Sequence, residues 1–358
     1  MRTLTLPERQ RLILKEIVDR YIRLYEPVSS RMILEEYGLK VSSATVRNDM
    51  YDLEKLGFIA KPYSSSGRIP TQRGFRFFVE WLLDLSELQR TQRLEIVETY
   101  EARVLDVSEA IRQTAFVLAN MTRYAAFVVP PRLEDARLER VLLVRMGDRT
   151  AFLVVVSDIG IVEQGLIPLE TDATEEEVER MMRTINRTLR GARLEEVRSL
   201  AAEEGPEGWY ERPERQALAV VGKLLGRRMG QRVVVEGLLH LIEPLQRLAP
   251  EHAMDRFAAL GRAVQDERAF PEALERAREG RAGIVVNVGD FPLAGTEEFS
   301  VITLPYRPHG GLLGVIAPVC MDYGRSMSAL TYVANRLEAL LISSRGPTHG
   351  RTPEGEGR

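Results

Sequence analysis

At 358 residues the chain is too long for one small module, and two or three domains fit its length. A hydrophobic content of 44% supplies packed cores and excludes global disorder, while a single cysteine, Cys320, excludes an intrachain disulfide. The net charge of −3 is uneven: residues 1–75 carry 13 Lys+Arg against 9 Asp+Glu, a local +4 that leaves −7 on the rest, and a basic front on an acidic body suits a nucleic-acid-binding head.

The chain does not open on a basic stretch followed by an apolar run, so no signal peptide is expected. No apolar stretch approaches the ~18–20 residues that span a bilayer, so a cytoplasmic protein without a membrane partner is expected. From Pro7 to Leu24 the periodicity predicts a helix with Leu12, Ile13, Ile17, Ile22 and Leu24 mostly on one face. Glu26-Pro27 breaks it. Ser29 or Ser30 then caps a short helix that stops at Gly38, and Leu39-Lys40-Val41 form a turn. Ser42 or Ser43 caps the next helix, with Val46, Met50, Leu53 and Leu56 facing inward and Gly57 ending it. Residues 58–61 read as a strand, 64–67 as a loop and 68–71 as the returning strand.

Residues 75–120 carry a long helical pattern, a linker helix running into a second domain. Between Tyr124 and Pro168 the period changes to two, which predicts antiparallel strands with a hairpin turn at Gly147-Asp148. Residues 171–280 are mainly helical and charged, with one short strand in 232–237 and a loop at 201–214. Strands return at 283–289, 299–306 and 311–319, and a helix over 328–343 closes the fold. The Gly- and Pro-rich tail reads as disordered. The return of strands after a helical stretch predicts one α/β domain split by an inserted, mainly helical module. The fold class is therefore multidomain α/β (α+β). Its expected parts are a winged helix-turn-helix head at 1–88, the split domain at 89–168 and 271–344, the insert at 169–270, and the tail at 345–358.

The head carries the chemistry. A recognition helix presents small and polar side chains at the end that enters the major groove. Here the outward positions are Ser43, Ala44, Thr45, Arg47, Asn48 and Tyr51. Arg can donate a bidentate pair to guanine and Asn to adenine. Ser42 and Ser43 hydroxyls at the helix start suit phosphate contacts. Tyr63, Ser64, Ser65, Ser66 and Arg68 on the wing reach toward backbone or minor groove, and Arg31 and Arg73 sit where phosphate clamps would be useful. The competing reading is a helical protein-interaction module in which Arg47 and Asn48 are merely solvated.

Elsewhere the sequence holds no GxxxxGK[ST] loop and no HExxH, and its four histidines lack metal-ligand spacing. Neither an enzyme, a cofactor nor a metal is expected. Cys320 reads as a buried, neutral thiol, Met181-Met182 as core, and Glu175–Glu179 as a helix start whose charge suits the dipole.

The segment 27–79, PVSSRMILEEYGLKVSSATVRNDMYDLEKLGFIAKPYSSSGRIPTQRGFRFFV, resembles the N-terminal domain of the heat-inducible transcription repressor family, HrcA. The family phrases EPVGSR, SxATIRN, DLExLG and SAGRIPTxxGYRFYV appear here as EPVSSR, SSATVRN, DLEKLG and SSGRIPTQRGFRFFV. Near the other end, GLLGVIAPVCMDYGRSMSALTYVA resembles GxxGVIGPTRMDYSRVIxxVxYVA, and VVEGLLHLIE resembles a segment in between. The family's Gly-Pro-Thr-Arg stands here as Ala317-Pro318-Val319-Cys320. The resemblance implies a winged-helix head, a GAF-like α/β domain and a dimerising domain inserted into it. It also implies repression of chaperone operons through double-stranded DNA carrying an inverted-repeat operator, CIRCE. A homodimer would bind it, with activity depending on a GroE-type chaperonin that heat-damaged proteins titrate away. Leu224, Leu225, Val233, Leu238 and Leu241 are interface candidates or ordinary core. The alternative is a metabolite-sensing regulator that uses the GAF-like domain.

Overall fold

The computed structural model describes residues 6–37, 41–63, 67–82, 107–131, 136–158, 162–169, 172–202, 221–222, 233–307 and 310–343. The chain begins with three helices, α1 (Glu8–Leu24), α2 (Ser30–Tyr37) and α3 (Ser43–Lys55), followed by a short antiparallel ribbon of β1 (Ile59–Ala60) and β2 (Ile69–Pro70). α1 buries Ile13, Leu14, Ile17 and Val18, whereas Leu12 and Leu24 lie outward; the buried face is rotated from the expected one, because Leu14 and Val18 complete the i, i+4 stripe with Ile13 and Ile17. Tyr25, with φ +58°, ends the helix just before Glu26-Pro27. The Ser29 hydroxyl accepts from the Met32 N–H at 3.3 Å and caps α2.

At the end of α3 the Gly57 N–H reaches the Glu54 carbonyl and the Phe58 N–H the Leu53 carbonyl, a Schellman closure that needs the left-handed φ of +75° at Gly57. α4 (Gln72–Phe77) follows the ribbon, capped by Thr71, and widens into a π turn over Phe78–Leu82. A side chain at Gly74 would begin 2.2 Å from the Phe58 carbonyl oxygen, so only glycine lets α4 lie this close to the end of α3. The middle of the expected long helix, 83–106, is outside the described residues.

The helix resumes as α5 (Val107–Thr122) and leads into β3 (Ala125–Val129). The central sheet is antiparallel and ordered β7 (Val234–Glu236), β3, β10 (Gly311–Pro318), β9 (Phe299–Tyr306), β8 (Val285–Val288). Every residue of β3 and β10 is buried, so both faces of these strands are covered. α5 and the last helix, α11 (Tyr323–Ser343), pack on this sheet and on each other. Helices α8 (Ile242–Leu248), α9 (Ala253–Gln265) and α10 (Ala269–Arg278) lie between β7 and β8, and Phe270 of α10 meets Phe127 of β3 edge-on at 5.3 Å. α11 starts five residues earlier than expected, where Asp322 caps the Arg325 N–H at 2.9 Å.

The strands over 138–168 divide differently from the boundary placed at 168/169. β4 (Leu138–Gly147), β5 (Thr150–Ser157) and β6 (Val162–Pro168) form a separate three-stranded sheet and make no pairing with β3. α6 (Glu175–Leu189) covers one face with Val178, Ile185 and Leu189, and Asn186 locks onto the Val141 N–H and C=O at 2.8 and 2.7 Å. α7 (Leu194–Ala202) follows, and β7 then rejoins the central sheet beside β3, so strand pairing resumes before residue 271. The hairpin turn centres on Asp148-Arg149, one residue later than expected, with Gly147 opposite Thr150. The Thr174–Glu177 capping box starts α6 as the acidic run predicts.

Among the described residues nothing covers the other face of the small sheet. Leu142, Val144 and Met146 of β4 are 40%, 54% and 63% exposed, and Leu166 of β6 is 57% exposed. Phe152 pairs with both Val144 and Leu166, so these side chains form one apolar surface.

Candidate nucleic-acid interface

α3 is fixed from both ends and from behind. The Ser42 hydroxyl accepts from the Thr45 N–H at 3.1 Å and lies 2.9 Å from the Thr45 hydroxyl, so Ser42, and not Ser43, is the cap. Behind the helix, Asp49 sits among Val46, Met50 and Leu53 with 4% exposure. Arg9 of α1 meets it with both prongs, Nε to Oδ2 at 2.6 Å and Nη2 to Oδ1 at 3.1 Å. Its hydrogen bond, and then its charge, raise the Arg9 guanidinium above its ordinary pKa. This pair pins the rotation of α3 about its own axis.

The opposite stripe of α3 is Ala44, Arg47, Asn48, Tyr51 and Lys55, spaced i, i+3, i+4, i+7 and i+11, and all five are exposed. Ser43 and Thr45 flank it, half-exposed. The Lys55 ammonium rests 4.6 Å from the Tyr51 ring centre, and Tyr51 itself is 54% exposed. Arg47 and Asn48 are thus adjacent donors on an open helix face, one turn from the capped N-terminus.

The remaining expected contacts scatter. Tyr63 beyond β1 is exposed. Ser64, Ser65 and Ser66 lie outside the described residues. Arg73, on the first turn of α4, is exposed and stacks its guanidinium 4.9 Å from the Phe58 ring centre. Arg31 of α2 is exposed and paired with Glu35 at 2.6 Å. Arg68 departs from expectation: it does not point outward but joins Glu54 of α3 at 2.9–3.0 Å with its side chain 17% exposed, while its backbone bridges to Val28. It ties the ribbon to the end of α3. Arg9, Asp49 and Glu54 are not among the residues expected from sequence; the available signal is a carboxylate, Asp49, inside an apolar stripe, which demands a cationic partner.

The head is anchored to the body. Arg76 donates twice to the Val288 carbonyl at 3.0 and 2.9 Å and lies 3.3 Å from Asp290. Gln72 donates to the Glu297 carbonyl at 2.9 Å, and Phe75 meets Tyr323 at 6.3 Å. Cys320 is 1% exposed and burial pushes its thiol up to about 12, which keeps it neutral. The position held by arginine in the family pattern is therefore buried here. Leu241, offered as an interface candidate, is fully buried core; Val233 and Leu238 are half-buried, and Leu224 and Leu225 fall outside the described residues. Among the described residues no group of three or more His, Cys, Asp or Glu can hold a metal, and no helix is long and apolar enough to cross a membrane.

Residues 108–327 match the family described as HrcA protein C terminal domain. The chain is 31% identical over 346 residues to the heat-inducible transcription repressor HrcA of Pelotomaculum thermopropionicum, covering 94% of this chain and 97% of that protein. It is 32% identical over 344 residues to the protein of that name from Syntrophobacter fumaroxidans, with coverage of 94% and 97%. A crystal structure of a hypothetical protein superposes with a TM-score of 0.67 at 26% identity, covering 95% of this chain and all of the other.

Proposed function

The chain belongs to the HrcA family of heat-inducible transcription repressors, and we propose that it silences chaperone operons by binding an inverted-repeat operator of the CIRCE type as a homodimer. The observation that carries this reading is the open stripe of α3, Ala44 to Lys55, held outward by the Ser42 cap and the Arg9–Asp49 pair. The head is a winged helix-turn-helix, with α3 entering the major groove and the β1–β2 ribbon as its wing. Arg47 and Asn48 read base edges, Ser43 and Thr45 approach the phosphates, and Tyr51, Lys55 and Arg73 flank the groove. Arg31 and Tyr63 reach the flanking backbone. Arg68 supports the wing without touching DNA.

The central sheet with α5 and α11 is the GAF-like domain, and the small sheet with α6 belongs to the inserted dimerising module. A two-fold operator requires a two-fold dimer. The apolar face around Val144, Phe152 and Leu166 supports a second copy of this chain as its cover, since contiguous apolar surface of this kind marks an interface. An unpaired protomer would expose that face, and such a surface is what a GroE-type chaperonin holds. Heat-damaged proteins then compete for the chaperonin, active dimer falls, and transcription rises in the cytoplasm.

Fluorescence anisotropy on a CIRCE-type inverted repeat, against a duplex with one half-site scrambled and at matched salt, tests the reading. Tight binding that needs both half-sites is the expected result. Equal, salt-sensitive binding to the two duplexes would sink it.

A further inference from the structure

The joint between head and body forms an open cleft of about 620 Å³, inside the roughly 300–1,000 Å³ span of small-molecule sites. Its walls come from both sides. Arg23 and Tyr25 close α1, Arg123 follows α5, Arg247 lies on α8, and Arg325 lies on α11. Four guanidiniums therefore line one opening against two carboxylates, Glu243 and Asp322. Both carboxylates are engaged: Glu243 Oε1 accepts from Arg247 Nη2 at 2.7 Å, and Asp322 Oδ1 accepts the Arg325 backbone N–H at 2.9 Å. Asp19, beside Arg23 and Asp322, offsets a third charge, and the helix ends change the balance by only about half a charge, so the cationic character of the cleft lies at Arg123 and Arg325. Arg325 donates Nε to the Met121 carbonyl at 2.9 Å, which fixes its plane. Arg123 makes no ion pair among the described residues.

Backbone geometry points to the same place. Among the described residues only two non-glycine residues have a left-handed φ, Tyr25 at +58° and Arg123 at +62°, and both line this cleft. Each helix end accounts for its own left-handed residue, the Tyr25 N–H reaching the Tyr21 carbonyl and the Arg123 N–H the Ala119 carbonyl, both at 2.8 Å. But a tyrosine and an arginine stand where glycine is usual, and backbone of this kind gathers at ligand clamps. His240, on the same wall, keeps its buried Nδ1 without a partner.

We infer that this cleft binds a small organic anion, a phosphate or carboxylate compound, gripped by Arg123 and Arg325. Guanidinium forks suit both oxyanions. Because α1 belongs to the head and the other walls to the body, an occupant favours one orientation of the head. That consequence rests on the DNA-binding reading; the site does not.

Isothermal titration of the full chain with ATP, pyrophosphate and citrate, each to about 1 mM in about 0.1 M salt, tests the site. The expected result is saturable binding of at least one probe, one per chain. Arg123→Asn, which keeps a residue tolerant of the left-handed backbone, weakens it at least tenfold; Arg47→Ala, on the DNA face, leaves it unchanged. Binding of ATP, with or without pyrophosphate, assigns an organic phosphate and citrate alone a carboxylate, while pyrophosphate alone overturns the organic-anion assignment. Absence of binding by all three probes overturns the proposal, as does equal binding to Arg123→Asn or loss in Arg47→Ala. ATP binding that survives a failed operator titration would overturn the repressor reading and leave the site standing.

Discussion

Arg9 and Asp49 form a two-pronged ion pair across 40 residues of sequence, at 2.6 and 3.1 Å, between the first helix and the back of the third. Asp49 is 4% exposed, so the pair is the condition under which a carboxylate is tolerated in that core. Arg9→Ala leaves it charged and unpartnered. The urea midpoint of the variant is expected to fall, and Asp49→Asn added to it is expected to recover part of the loss, because the amide needs no counter-charge. A double variant no more stable than Arg9→Ala would show that the pair does not hold α3 in this way.

Arg47 and Asn48 are exposed side by side, and a bidentate base contact discriminates by about 1–3 kcal/mol. Arg47→Ala or Asn48→Ala is therefore expected to weaken operator binding by about 5- to 150-fold while leaving thermal stability unchanged. Base-edge contacts and phosphate contacts separate by salt. Arg73→Ala is expected to lower the slope of log affinity on log salt by about one and to weaken all duplexes alike. Anisotropy titrations at several salt concentrations, on matched and mutated operators, read both quantities.

The head helices are legible because each carries its own local punctuation: Ser42 at the start of α3, Gly57 at its end, Pro27 after α1. The exposed stripe follows from the inward spacing of Val46, Met50 and Leu53, so Ala44, Arg47, Asn48 and Tyr51 could be placed without coordinates. Arg68 could not, because its partner Glu54 is brought to it by the turn of the ribbon. The two sheets could not be told apart either. β3 (AAFVV) and β5 (TAFLVVVS) both read as apolar strands, and which strands join them is set by pairings as distant as Val128 with Val234. The cleft is equally invisible in sequence, since its arginines come from four separate helix ends.

The uncovered sheet face makes a further prediction. Val144 and Leu166 are 54% and 57% exposed, so an aspartate at either position is accommodated in an isolated protomer. Val144→Asp and Leu166→Asp are each expected to convert a dimer to a monomer in sedimentation equilibrium, with far-ultraviolet circular dichroism unchanged. Binding to the full inverted repeat then falls to the level of a single half-site. Dimers that persist in both variants would place the two-fold contact elsewhere.

Asp19 of α1 has its carboxyl pushed up to about 6, chiefly by burial, then by Glu16, with Asp322 of the body adding to the effect. A raised acid pKa means that the fold favours the protonated form. Its contribution is fully present below the ordinary value of 3.8 and is lost as pH rises through about 6. Asp19→Asn mimics the protonated group at every pH. The variant is therefore expected to melt above the parent at pH 7.5, with the difference shrinking steadily as pH falls to 4.5. Because Asp322 faces Asp19 across the head–body joint, limited proteolysis of the parent at the two pH values is expected to cut between head and body more slowly at the lower pH, where Asp19 is uncharged. A melting difference that is constant with pH would remove Asp19 as the titrating group of the joint.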